Sequence, residues 1–203
     1  TAIDLPAGPS EVMVIADDAS HPGFAAADLL SQAEHGRDSQ VMLLCRSEAF
    51  ARAVAQQTQR QLSALPRSEI AREALSKSRT IILTDENDIV DFANAYAPEH
   101  LIIATQSPWK LADRIRAAGS IFIGKYTPES AGDYASGTNH TLPTCGWARS
   151  QSGVNLDSYF RKMTIQEITR EGLKGLATTI IPMAEAEGLQ AHANAVKVRI
   201  DEP

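Results

Sequence analysis

Cysteine is scarce in this chain: only Cys45 and Cys145 occur in 203 residues, far apart and in no C-x-x-C spacing, so thiolates do not build a metal site here. Cys45 lies in an apolar run and reads as a small core residue. Cys145 follows Pro143 in a loop, with no histidine beside it in sequence to activate a thiol. Long apolar runs are missing as well; none approaches the roughly 20 residues that span a bilayer, which argues against a membrane partner. The start does not resemble a signal peptide, and the expectation is a cytoplasmic protein. The formal charge of -6 comes with no basic stripe, which argues against nucleic acid. No G-x-G-x-x-G follows a strand, and no repeat or low-complexity tract interrupts the chain. There is no initiator methionine, and the strand-like run from Val12 comes within a dozen residues of Thr1, as in a chain entered partway through a domain.

What is present is enough apolar material, 43%, for one substantial core with a small appendage. Pro6-Ala7-Gly8-Pro9-Ser10 is a turn cluster, and Val12 to Ala16 reads as the first strand. Pro22 opens a helix with Phe24, Ala27, Leu30 and Ser31 on one side and Gly36 as its stop. Strands are expected at 41–45, 80–84, 101–104 and 120–123. Helices are expected at 47–65, 66–78, from the Asp85 cap to Tyr96, and 108–118. Five apolar runs separated by helices predict an α/β fold. Its sheet is mostly parallel with helices on both faces, a three-layer, incomplete Rossmann-like domain over 1–150. Residues 151–203 hold no strand and predict a small all-helical C-terminal arm. In it Thr164 and Glu167 form a capping box, Pro182 ends or kinks the first helix, and a second runs from Leu189 to Ile200.

Chemistry concentrates in Glu129 to His140, a polar stretch with glycines at 132 and 137 that follows the apolar run Ser120–Ile123, read as a buried strand. Solvated surface loop is one reading. The preferred one is a ligand-binding loop, because Asp133 and His140 are typical hard-cation and imidazole ligands. Gln32 and His35, three apart, share a helix face, although a histidine there also serves as a C-terminal cap. Glu99-His100 pairs a carboxylate with an imidazole for proton transfer, between Pro98 and an apolar strand. Sites in parallel sheets usually lie beyond the carboxyl ends of strands, yet this pair precedes its strand. Either that strand runs against the others or the loop folds back.

Together these segments resemble the histidinol dehydrogenase family. The matching motifs are Asp4 to Glu11, Leu30 to Gly36, Pro98 to Leu101, Glu129 to His140, Leu142-Pro143-Thr144 and Ala191 to Val196. The family chain is roughly twice as long, and this sequence matches its C-terminal half. The resemblance implies zinc held by Gln32, His35, Asp133 and His192, with Glu99 and His100 as the proton-transfer residues. It places Ser10, Glu187, His140 and the zinc ligands against the substrate, and makes the family a homodimer whose tail completes the partner's site. The implied reaction oxidises L-histidinol through bound histidinal to L-histidine, the last steps of histidine biosynthesis, with two NAD as hydride acceptors. His100 takes the alcohol proton and Glu99 activates water. The cofactor contacts would lie outside this chain, which alone is expected to be inactive. Two other readings are a zinc-dependent hydrolase, against which the absence of H-E-x-x-H counts, and a non-catalytic metal-binding fragment.

Overall fold

Alternation along one strand explains both faces of the sheet. In β1 (Glu11–Ala16), Val12, Val14 and Ala16 join one apolar cluster while Met13 and Ile15 join another. Helices α1 (Pro22–Ala33), α2 (Glu48–Leu62) and α3 (Ser68–Lys77) cover the first face. The second face lies under α4 (Glu86–Tyr96) and α5 (Pro108–Ala112). The other strands are β2 (Gln40–Cys45), β3 (Arg79–Ile82), β4 (His100–Ala104) and β5 (Ser120–Ile123). All pairings are parallel, in the order β3-β2-β1-β4-β5. This is the three-layer, incomplete Rossmann-like arrangement expected. The computed structural model describes residues 5, 6 and 8–201, so Asp4 and Ala7 of the first motif lie outside it.

The direction of β4 is now settled. It runs parallel to β1, with Val12 opposite His100, so Glu99-His100 stands at the amino edge of the sheet. Other expectations are corrected. The buried face of α1 is Ala25, Ala26, Leu29, Leu30 and Ala33; Phe24 and Ala27 point outward. The edge strand β3 is largely exposed, and in β5 only Phe122 is buried. Helix α5 stops at Ala112 rather than 118 because Asn94 captures the backbone beyond it. Its Oδ1 accepts from Arg116 N at 2.6 Å and its Nδ2 donates to Arg114 O at 3.1 Å. A tertiary amide thus outcompetes another helical turn.

The stretch taken for a loop begins with a helix, α6 (Glu129–Tyr134), packed on α1. Gly132 permits this, because a Cβ there would stand 2.6 Å from the Phe122 ring. Two compact units divide the chain at Tyr159/Phe160. In the second, α7 (Arg170–Ala186) packs against α8 (Gln190–Ile200). The Thr164–Glu167 capping box is not formed. Thr169 caps α7 instead, accepting from Gly172 N at 3.1 Å. Pro182 does not end α7, which continues four residues past it to Ala186. No helix among the described residues is long and apolar enough to cross a membrane.

Candidate active site

Three strands deliver the site's rigid floor. Ser10 directly precedes β1, and its carbonyl accepts from Gln40 N of β2 at 3.0 Å. Glu11 N donates to Glu99 Oε2 at 2.8 Å, and the Glu11 carbonyl lies 3.1 Å from His100 Nδ1. Ser120 N of β5 donates to Glu99 O at 2.9 Å. That approach requires glycine at 119, where a Cβ would lie 2.5 Å from the Glu99 carbonyl oxygen. Upstream, Ala97 takes a left-handed turn (φ 56°) at the end of α4, which for alanine costs about 1–2 kcal/mol. Its methyl is fully buried, so packing offsets the strain.

Two helices bring the remaining groups. The carboxyl end of α1 returns to the amino edge and carries Gln32, fully buried, with His35 exposed one turn on. On α6, Glu129 and Asp133 are four apart and therefore neighbours on one face. One donor atom each from His35, Glu129 and Asp133 gathers within 4.8 Å of the others. The Gln32 amide sits with its nitrogen toward Glu129, donating to Oε1 at 2.8 Å and Oε2 at 3.3 Å; hydrogen bonding dictates this orientation.

His100 is 4% exposed and surrounded by acids. Its Nδ1 lies 3.5 Å from Glu99 Oε2 and 3.9 Å from Glu129 Oε1. With the Glu11 carbonyl this makes three acceptors at one nitrogen, so Nδ1 carries the proton of the neutral ring. Nε2 has no hydrogen-bond partner among the described residues; Asp133 Oδ1 is 3.9 Å away. Burial pulls the imidazole pKa down, but the Glu99 hydrogen bond and the Glu129 and Glu99 charges outweigh it and push it up to about 9. Burial lifts Glu129 to about 8, opposed by His100 and reinforced by Asp133, Glu99 and Asp28.

These groups line a cleft of about 490 Å³ formed by Ser10, Gln32, His35, Glu99, His100, Glu129, Asp133, Tyr134 and His140. Seven residues singled out in the sequence therefore meet in the first unit. Glu187 and His192 belong to the second, as the carboxyl cap of α7 and in the first turn of α8, both exposed. Sequence reasoning missed Glu129 and Glu11 as site residues. The signal for Glu129 was its i, i+4 spacing to Asp133. Glu11 gave none: its carboxylate accepts from Cys145 N at 2.9 Å, 134 residues away. At the opposite edge, the crevice beside the carboxyl ends of β1 and β4 is only about 140 Å³. The β1–α1 connection beside it, Asp17 to His21, has no glycine, and the Asp17 carboxylate is taken up by Ala19 N and Gln106 N.

Comparison with known proteins adds the following. The family model described as histidinol dehydrogenase matches residues 1–200. A histidinol dehydrogenase of Aliivibrio fischeri is 56% identical over 200 residues, covering 98% of this chain and 46% of the relative. That of Escherichia coli is 54% identical with the same coverage, 98% and 46%. The crystal structure of histidinol dehydrogenase from Elizabethkingia anophelis matches with a TM-score of 0.95 at 54% identity, over 98% of this chain and 46% of that one. The chain spans about half the length of the curated relatives it matches.

Proposed function

The chain belongs to the histidinol dehydrogenase family, and on that premise we propose that its cleft is the substrate and metal site of an enzyme that oxidises L-histidinol through bound histidinal to L-histidine. The observation that carries this reading is the two-sided environment of His100. The Glu11 carbonyl accepts from Nδ1–H, with the Glu99 and Glu129 carboxyls 3.5 and 3.9 Å from the same nitrogen, while Nε2 is left bare in a cleft lined by carboxylates and imidazoles. A ring so oriented accepts a proton at Nε2.

The donor set fits zinc: an amide oxygen, an imidazole and a carboxylate, with His35 and Asp133 already gathered together. Gln32, His35 and Asp133 would hold it, joined by His192 of a partner subunit. Zinc, when bound, would anchor the amino and imidazole nitrogens of histidinol and, as a positive charge, oppose the carboxylates' hold on the His100 proton. NAD would accept the hydride of each oxidation from a site outside this chain.

The chain's own residues then divide the proton work. His100 Nε2 takes the hydroxyl proton as the carbinol C–H leaves as hydride. The Glu99 carboxylate takes a proton from the water that adds to the aldehyde. After that first proton passes to solvent, His100 Nε2 takes a hydroxyl proton of the hydrate as its C–H leaves as the second hydride, giving the carboxylic acid, which ionises. Each transfer contributes about 10²–10⁴-fold in rate. Ser10, His140 and Glu187 hold the substrate's polar groups. We read the full enzyme as a cytoplasmic homodimer in which the second unit, from residue 160 on, acts as an arm that completes the partner's site.

The test is histidinol-dependent NADH formation by the full-length enzyme and its His100→Asn variant. A loss of about 10²–10⁴-fold in the variant is expected. An unchanged rate would contradict the assignment.

A further inference from the structure

Glu129 takes no part in the proton transfers proposed above, yet it is 2% exposed, the most deeply buried acid among the described residues. Keeping a carboxylate ionised there is unfavourable unless hydrogen bonds compensate. Its hydrogen bonds come from Gln32 once that amide is assigned the orientation its neighbours favour, the nitrogen then donating to Oε1 at 2.8 Å and Oε2 at 3.3 Å. A planar amide that gives its nitrogen to a carboxylate turns its oxygen away from it. Against the ionised Glu129 carboxylate, the reversed amide would set its oxygen against two acceptor oxygens. Orientation of the amide is therefore decided by Glu129, and orientation decides whether Gln32 offers a cation an oxygen or an N–H.

We propose that Glu129 is a positioning residue for the metal centre: by taking the amide hydrogens of Gln32 it keeps the Gln32 oxygen free as a donor, without being a ligand itself. The inference rests on the reading that Gln32, His35 and Asp133 hold the metal. Glu129 has a donor atom in the same 4.8 Å group as His35 and Asp133, which makes direct ligation the competing arrangement. Against that arrangement, both of its oxygens face the Gln32 nitrogen. The two helices involved are fixed independently. α1 is packed into the main core by Ala25, Ala26, Leu29, Leu30 and Ala33, and α6 is seated by the Gly132–Phe122 contact. A hydrogen bond between two such supports holds an amide in one orientation rather than following it.

A double-mutant cycle on zinc affinity tests this. Zinc dissociation constants would be measured by chelator competition for the 203-residue chain and for Gln32→Ala, Glu129→Leu and the double variant. Metal-free circular dichroism would confirm folding. Each single change is expected to weaken zinc binding by about 10–100-fold, the range for partners that orient metal ligands. The double variant is expected to be no weaker than the worse single, because Glu129 acts only through Gln32. Glu129→Asp, which keeps the charge but withdraws the oxygens by one methylene, is expected to show the same dependence on Gln32 and serves if the leucine variant does not fold. Losses that multiply in the double variant would overturn the proposal in favour of direct ligation. So would wild-type affinity in the Glu129 variants beside a weakened Gln32→Ala. Wild-type affinity in Gln32→Ala would instead remove Gln32 from the donor set, and the proposal with it.

Discussion

Glu11 and His100 meet through a main-chain carbonyl: the first residue of β1 places its oxygen 3.1 Å from Nδ1 of the first residue of β4. Since Glu11 N also donates to Glu99 Oε2 at 2.8 Å, one peptide position holds both members of the proposed proton-transfer pair. Parallel pairing of β1 and β4 makes that possible and places the pair at the amino edge of the sheet.

The division of labour between the pair is testable. Glu99→Gln keeps an oxygen to accept the Glu11 N–H but loses the carboxylate that activates water. Oxidation of histidinal by the full-length variant should fall by about 10²–10⁴-fold, and the first oxidation of histidinol by much less. Steady-state rates with each substrate give the comparison, and equal losses would reject the separation of roles.

Asp28 gives a pH prediction that needs no metal. Burial raises its carboxyl from 3.8 to about 7, so the folded chain binds this proton more tightly than the unfolded one. Its contribution to stability is present below pH 3.8 and lost as pH rises through 7. Asp28→Asn removes the charge, with an upper bound of about 4 kcal/mol at high pH. Thermal melts of the metal-free chain should show the variant above the wild type at pH 8 and level with it near pH 4. Equal melting temperatures at both would refute the assignment.

Much of the fold was legible because β1, β2 and β4 are continuous apolar runs, as doubly covered strands must be. Strand direction is not encoded in such a run, so the edge occupied by Glu99-His100 had to come from the sheet. The misjudged boundaries share a cause in long-range contacts. Asn94 unwinds the end of α5, and Phe122 beneath Gly132 makes a helix of residues that look like loop. Asp133 was visible through its ligand chemistry, whereas Gln32 and His35 stood out as neighbours on one helix face and became ligands only through the family resemblance. Glu11 was not, because its role runs through its backbone and a contact with Cys145.

The 203-residue chain by itself should form no NADH from histidinol at a measurable rate. Its β1–α1 connection has no glycine of the kind that lets a backbone cradle a pyrophosphate, Ala19 N is taken up by the Asp17 carboxylate, and Asp17 brings a like charge there. A fluorescence assay on pure chain, free of full-length contaminant, checks this; clear turnover would contradict it.

The arm should act in trans. Full-length Asp133→Asn and His192→Asn, each inactive alone, would be unfolded and refolded together. If His192 serves the partner's site, each mixed dimer has one site with both lesions and one with neither, and activity returns. Verified mixed dimers without activity would show that the arm serves its own chain.

The central claim is that the amino-edge cleft holds a metal, and metal analysis of full-length His35→Ala and Asp133→Ala tests it most directly. Both residues offer donors in one 4.8 Å group, Asp133 from α6 and His35 from the turn just beyond α1. The account predicts that each purified variant, still folded, retains less than about a tenth of the wild-type zinc, a single protein ligand being worth well over tenfold in affinity. Stoichiometric zinc in both variants would contradict it.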